Sequence, residues 1–312
     1  MVVADHVGEA LALELSAVVV TVTEDQPRVL VLEDGPALPS GPLEEGHRTL
    51  ELGLRAWVEE RTRLPLGYVE QLYTFADRGR AGAPSARVIS LSYLALTREP
   101  RAAMLPGAAW HNWYRHFPWE DWRGGANALV ALTIVPALES WAGEAAGTVQ
   151  RERRRRIAVT FGADERSWDE ELVLQRFELL YEARLVPEAW RGSDGKPAAL
   201  VPGEPLALDH RRILATGIAR LRAKIKYRPV VFELMPDNFT LLHLQRAVEA
   251  LAGRRLHKQN FRRFVEGGQL VEETGTYAEA TGGRPAKLMR FRREVLLARA
   301  VSGTKLPLSR PG

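Results

Sequence analysis

The sequence predicts an α+β chain of about two domains, and three observations carry that expectation. The N-terminal part holds β-branched runs broken by turn signals. The C-terminal part holds two stretches of helical periodicity followed by a Gly-rich hairpin. The excess positive charge lies in that last part. From Asp237 to Arg293 there are 11 Lys and Arg against 6 Asp and Glu, whereas the whole chain of 312 residues is +4.

The composition, 46 % hydrophobic and 26 % charged, is an ordinary globular mix with enough apolar material for a core in each domain. With no cysteine there is no disulfide framework, thiolate metal site or cysteine nucleophile. No apolar run approaches the roughly 20 residues of a membrane span. Met1 to Leu15 contains Asp5, Glu9 and Glu14 and lacks a basic start, so it is not expected to be a signal peptide. The expected location is the cytoplasm, without membrane contact. No internal repeat stands out.

Taken in order, Leu15–Thr23 and Arg28–Leu32 are β-branched runs around the turn signal Glu24-Asp25-Gln26-Pro27, which predicts a hairpin. Leu50–Thr62 has helical spacing through Leu50, Leu54, Trp57 and Val58. Val69–Phe75 and Arg87–Leu96 read as strands, the second alternating Val88, Ser90 and Ser92 against Ile89, Leu91 and Tyr93. Trp110–Gly125 reads as a Trp-rich loop, and the apolar run Ala128–Val135 as a strand. Gln150–Thr160 and Asp169–Ala183 look helical, and Arg191–Pro205 reads as a loop or linker. Asp209 is then expected to cap a helix with Leu214, Ile218, Leu221 and Ile225 at near-heptad steps. That helix suits a connector, a dimer seam, or an ordinary amphipathic helix packed on its own domain.

From Phe239 onward the pattern is that of a winged helix. Thr240 is a good N-cap for a helix whose Leu241, Leu244, Val248 and Leu251 share one face, and Gly253 stops it. A second helix puts Phe261, Phe264 and Val265 inward. Its other face carries Lys258, Gln259, Asn260, Arg262 and Arg263, the residue types that meet phosphates and base edges in a major groove. Gly267-Gly268 ends it, a strand starts at Leu270-Val271, and Lys287–Phe291 returns from a tip at Gly282-Gly283-Arg284-Pro285. The plainer alternative is a small α/β domain with a solvated basic face. Confinement of the positive charge to this pattern favours binding of double-stranded DNA. The candidate DNA contacts are Thr240, Lys258, Gln259, Asn260, Arg262, Arg263, Arg284 and Lys287.

The N-terminal order of hairpin, Gly-Pro loop, helix ending in Glu-Glu and further strands resembles a Nudix domain. That family's signature is a Gly, a Glu after five residues, then after seven more Arg-Glu-apolar-x-Glu-Glu-x-Gly. Gly41, Arg55, Trp57, Glu59 and Glu60 match it, while His47, Ala56 and Thr62 stand where Glu, Glu and Gly are expected. Nudix hydrolysis needs several carboxylates on one helix to hold divalent metals against a diphosphate and to activate water. Arg55 and Glu59 lie one turn apart and can pair. Glu59 and Glu60 are the remaining metal candidates, but neighbours on a helix point about 100° apart and make a weak site. A plain helix with a solvated acidic end is the alternative.

Both ends together are similar to the Nudix-related transcriptional regulators of NAD metabolism, and most to the NadQ-type regulators of de novo NAD biosynthesis. The residues that carry this are Arg87–Leu96, Phe117–Arg123, Asp209–Phe232, His257–Arg263 and Gly283-Arg284-Pro285-Ala286. The resemblance covers nearly all of the chain up to Ala300. It implies an N-terminal Nudix-like αβα sandwich with a mixed sheet at 1–205 that senses a nucleotide. A connecting or dimerisation helix follows at 206–232, then a winged helix-turn-helix at 233–300 and a flexible tail at 301–312. It also implies a homodimeric repressor that is not an enzyme, requires no cofactor, and answers to an adenine nucleotide: NAD, ATP or ADP-ribose.

Arg55, Arg87, Trp119, Glu120, Asp121 and Arg123 are the candidate nucleotide contacts, since charged groups amid aromatics suit a nucleotide pocket. For most of the tryptophans, packing is the simpler role. Arg151–Arg156, RERRRR, suits either phosphate binding or a helix neutralised by Asp164, Glu165, Asp169, Glu170 and Glu171. His111 and His116 lack metal-ligand spacing with any partner, and there is no P-loop or Gly-x-Gly-x-x-Gly. Two other classes remain open: a Nudix pyrophosphohydrolase with an accessory DNA-binding domain, and a nucleotide-binding adaptor whose winged helix contacts protein.

Overall fold

The computed structural model describes residues 2–4, 10–64, 66–76, 86–98, 107–162, 167–191, 195, 200–278 and 285–292. Its centre is strand β2 (Ala10–Thr23), which turns into β3 (Gln26–Leu32). Thr23 pairs with Gln26, so Glu24 and Asp25 alone make the turn. Both have positive φ, 52° and 57°, as a two-residue turn matched to strand twist requires. Pro27 therefore stands inside β3, opposite Val22, rather than in the turn.

Two short strands, β1 (Val2–Ala4) and β4 (Ser40–Pro42), also pair with β2. Helix α1 (Leu50–Thr62) follows, with the Thr49 hydroxyl accepting from the Leu52 N–H at 3.2 Å. Then come β5 (Tyr68–Phe75), β6 (Ala86–Leu96) and β7 (Ala108–Asn112). The sheet order is β5-β6-β2-β3-β7, with β2 and β6 parallel and the other neighbours antiparallel. β2 is covered on both faces, which is why Val18, Val19 and Val20 form an unbroken apolar run.

Residues alternate between those two faces. Leu15, Ala17 and Val19 of β2, Leu30 of β3, and Tyr93 and Ala95 of β6 pack with Leu54 and Val58 of α1. Val18, Val20, Val29, Val31, Leu94 and Leu96 face the opposite layer. That layer contains α5 (His210–Tyr227), against β2, β5 and β6, and α6 (Leu241–Ala252), against β3 and β2. The αβα sandwich with a mixed sheet is thus present, and one of its outer helices belongs to the winged helix.

Three helices fall between β7 and α5 in the chain: α2 (Val135–Gly143), α3 (Gly147–Phe161) and α4 (Val173–Glu182). Here the sequence reading needs correction. Ala128–Val135 is helical, beginning with a π-helical turn at Val130–Ile134 that runs into α2. The Asn127 side chain caps it by accepting from the Leu129 N–H at 3.1 Å. Val130, Ile134 and Leu138 make one buried stripe at four-residue steps, visible only when the window extends past residue 135. Trp110–Gly125 is not a free loop either. It contains the end of β7 and two 3-10 turns, and both Trp113 and Trp119 are fully buried.

The helix expected at 206–232 is α5, but Leu214, Ile218, Leu221 and Ile225 are all 0 % exposed within the chain's own core. Its apolar stripe packs on the sheet and so offers no dimer seam. Among the described residues no helix is long and apolar enough to cross a membrane.

After α6 come α7 (Lys258–Gly267) and the hairpin β8 (Val271–Tyr277) and β9 (Lys287–Phe291). Phe239 exchanges backbone hydrogen bonds with Met289 at 3.0 and 2.8 Å, which ties the entry of this module to β9. The tail at 301–312 lies outside the described residues.

The core also holds charge. The Glu120 carboxylate is fully buried and accepts from Arg176 Nε at 2.6 Å and Nη2 at 2.9 Å, and from Arg222 Nη1 at 2.6 Å. Arg176 also lies 3.7 Å from the Trp168 ring centre and donates to the carbonyls of Thr160 and Asp169. Burial pushes the His116 and His210 pKa values down to about 4, so both rings are neutral at pH 7. Removing one partner of a buried charge cluster leaves the others uncompensated. Glu120→Gln should therefore lower unfolding stability by about 3–5 kcal/mol in denaturant titrations. Arg154→Ala, which breaks an exposed pair with Glu139 at 3.2 Å, should cost only about 0–1 kcal/mol.

Candidate nucleic-acid interface

Helix α7 is polar on one side because only Phe261, Phe264 and Val265 are needed inside. Lys258, Gln259, Asn260, Arg262 and Arg263 are all exposed. Its N-cap, His257, makes no side-chain cap, so no side chain covers the first-turn N–H groups at the positive end of the helix. Among the described residues, Lys258 and Arg262 carry no ion pair, and Arg263 makes only a long 3.4 Å bond to Asn260. Neighbouring cations are already neutralised: Arg254 by Glu170 at 3.5 Å, Arg255 by Glu249 at 2.8 Å, and Arg290 by Glu272 at 2.6 Å. Among the described residues, α7 therefore presents Lys258, Arg262 and Arg263 free of ion pairs on one exposed face, where a duplex backbone would use them.

The other expected DNA contacts divide. Thr240 is the N-cap of α6, its hydroxyl accepting from the His243 N–H at 3.1 Å. Lys287 is exposed on β9 but is held by Glu273 at 2.7 Å. Arg284 lies outside the described residues.

The expected nucleotide contacts come out differently, and two need correction. Trp119 is fully buried and Glu120 is saturated by Arg176 and Arg222, so neither presents an open face to a ligand. A carboxylate among aromatics suits a nucleotide pocket and a buried ion cluster alike, and the partners that decide for the cluster stand 56 and 102 residues away. Asp121 and Arg123 pair with each other at 2.8 Å. Arg123 also donates to the Asp25 carbonyl and Gln26 Oε1, both at 2.8 Å. The side chain of Arg87 lies outside the described residues.

On α1, Arg55 pairs with Glu51 at 2.9 Å rather than with Glu59. A helical side chain leans toward the N-terminus, and the guanidinium then reaches the carbonyls of Leu66 at 2.6 Å and Gly67 at 3.1 Å. Gly41 fits the indole of Trp57 so closely that a Cβ would meet it at 2.0 Å. His47 packs over Gly53, and its Nδ1 accepts from the Glu44 N–H at 3.2 Å. Glu59 and Glu60 are exposed at the end of the helix, and Ala56 offers nothing between them. Among the described residues no three His, Asp or Glu side chains gather as metal ligands. With His47 and Ala56 where carboxylates are expected, the residues present do not fit the divalent-metal site of a Nudix hydrolase.

The arginine run on α3 is mostly spoken for. Arg153 lies 4.0 Å from the Trp141 ring centre, Arg154 pairs with Glu139 at 3.2 Å, and Arg156 with Glu182 at 2.5 Å. Among the described residues the carboxylates paired with this run are on α2 and α4, and Asp164 and Glu165 of the expected stretch lie outside the described residues.

Comparison with known proteins bears on this geometry. Residues 231–291 match the NrtR DNA-binding winged helix domain. The ADPR responsive transcriptional repressor NtrR of Acinetobacter baylyi is 42 % identical over 86 residues, 28 % of this chain and 34 % of that protein. The match therefore spans about a third of the relative's length. Shewanella oneidensis NrtR complexed with a 27mer DNA aligns with 91 % of this chain and 94 % of its own, at 20 % identity and a TM-score of 0.55. A MutT/nudix family protein from Enterococcus faecalis aligns with 90 % of this chain and 86 % of its own, at 17 % identity and a TM-score of 0.51. These likenesses give the fold, a Nudix-like body carrying a winged helix.

Base reading and phosphate contact separate experimentally. Gln259→Ala and Arg262→Ala should weaken specific DNA binding by about 1–3 kcal/mol per bidentate contact and reduce discrimination against random sequence. Lys258→Ala and Arg263→Ala should weaken both kinds of DNA alike and flatten the salt dependence by about one unit per contact. Titrations of both DNAs at two salt concentrations distinguish the two behaviours.

Proposed function

We propose that this chain, an NrtR-type winged helix on a Nudix-like body, is a nucleotide-responsive transcriptional repressor acting in NAD metabolism. It binds operator DNA as a homodimer in the cytoplasm. The observation that carries this is α7, with five exposed polar and basic side chains over a buried Phe261 and Val265, in a module of a known DNA-binding kind. A single winged helix reads a short half-site, and two of them on a dimer read a palindrome. The proposed effector is ADP-ribose, supported by the ADPR responsive relative, with NAD and ATP as the other candidates. The nucleotide acts by favouring one dimer geometry over another, which requires different affinity for the two.

The chain is proposed to be a sensor rather than a hydrolase. Ala56 cannot ligate a metal or accept a proton, and the His47 ring is engaged by the loop it sits in. The proposed organisation is a sensing body extending through α5, followed by the winged helix from about residue 233.

Fluorescence anisotropy with the DNA upstream of the chain's own gene is the test, run with and without ADP-ribose, NAD and ATP. A concentration-dependent change in operator affinity with ADP-ribose is expected. Equal affinity for operator and random DNA would overturn the repressor reading. Magnesium-dependent cleavage of ADP-ribose at about 1 per second or faster would overturn the non-catalytic one.

A further inference from the structure

Helix α6 ends against the N-terminal body in an unusual way. The last carbonyls of a helix lack partners within it and are ordinarily satisfied by the residues that follow or by water. Here they are satisfied by donors from far away in the chain. Tyr114 Oη donates to the Ala250 carbonyl at 2.7 Å, and Arg222 Nε to that of Leu251 at 3.0 Å. The Trp122 N–H donates to the carbonyl of Gly253, the C-cap, at 2.7 Å. Gly253 has φ +73°, and a Cβ there would stand 2.4 Å from the Glu120 carbonyl, 2.8 Å from Arg222 Nη2 and 3.0 Å from Tyr114 Oη. The junction has room only for glycine.

The path from this clamp to the DNA-facing residues is short and fixed. Leu256 is held on both sides, its N–H by Glu249 Oε1 at 3.0 Å and its carbonyl by Gln245 Nε2 at 3.1 Å. Helix α7 begins at Lys258. On the other side, the Arg123 guanidinium lies 5.0 Å from the Tyr114 ring centre and is bonded to Asp25 and Gln26 at the tip of the β2–β3 hairpin. Burial raises the Tyr114 phenol, which keeps it a donor.

We propose that Tyr114, with Arg222 and the Trp122 amide, is a positioning residue for DNA recognition, setting the angle of α7 relative to the sheet through the C-terminal carbonyls of α6. The inference rests on the DNA-binding reading above. Any movement of the sheet and α5 as a body then carries the recognition helix with it, without a flexible linker.

Tyr114→Phe in the full chain removes one donor and keeps the ring. Random-sequence DNA should bind within about two-fold of the wild type, because phosphate contacts are unchanged. The ratio of operator to random affinity should fall by about 3- to 10-fold, the range expected from one neutral hydrogen bond. Gly253→Ala, which drives a methyl group among the clamp residues, should lower the ratio further. Amide hydrogen exchange across residues 250–260 should be several-fold faster in Tyr114→Phe, with β2 and β6 unchanged. A Tyr114→Phe chain that melts earlier yet keeps both its discrimination and its exchange pattern would overturn the proposal and leave Tyr114 a packing residue. If the wild type itself does not prefer its upstream DNA, the functional reading falls on its own. Hydrogen exchange then decides the positioning role, faster exchange supporting it and unchanged exchange overturning it.

Discussion

The fold depends on one buried carboxylate. Glu120, fully shielded from solvent, accepts hydrogen bonds from Arg176 of α4 and Arg222 of α5. Three charges without water are costly, so the arrangement stands only if every proton and lone pair is matched. Arg176 finds the carbonyls of Thr160 and Asp169 and the face of Trp168. Arg222 finds the carbonyls of Leu251, Glu170 and Glu120 itself. One cluster thereby joins the segment after β7, the inserted helices, the long helix α5 and the first helix of the winged module. An apolar cluster would fill the same space, but many registers of these helices would satisfy it. The directional bonds select one.

That constraint shapes how such a molecule can respond to a ligand. The first helix of the winged module is also an outer-layer helix of the sandwich, packed on β3 and β2. Its far side is pinned at the hairpin tip, where Arg246 pairs with Asp25 at 3.1 Å. A nucleotide held by the N-terminal body cannot act by loosening a tether, because sheet and recognition helix share one core. In the proposed function it would act by biasing the body itself or the way two bodies meet, and both would move α7 as part of a larger rigid piece.

How far the sequence revealed this follows from the range of the forces involved. Helix α1 was legible to both ends because its signal is local: Leu50, Leu54, Trp57 and Val58 recur at helical steps. Helix α7 was legible for the same reason, down to which residues face out. The stretch Ala128–Val135 was misread because a short apolar run fits a strand or a buried helix equally well. The near-heptad stripe of α5 showed that one face is apolar but not what covers it, and the sheet does. Trp119 and Glu120 looked like a ligand pocket because aromatics around a charge describe a binding site and a buried ion cluster alike. Nothing local to Glu120 points to Arg222, 102 residues on. The exposed polar and basic face of α7 needed only helix periodicity, whereas the charge cluster needed tertiary structure.

The rigid union of sheet and recognition helix is easy to probe, because the sequence has no cysteine. Cysteines introduced at two exposed positions, Arg61 on α1 and Glu266 on α7, take a pair of spin labels. The labelled chain is diluted with unlabelled protein so that only distances within one chain are read. Electron–electron double resonance should give one narrow distance that is the same with and without ADP-ribose, even where the nucleotide changes operator affinity. A broad or two-peaked distribution that shifts when ADP-ribose is added would contradict it, and would place the movement inside the chain at the α6 junction.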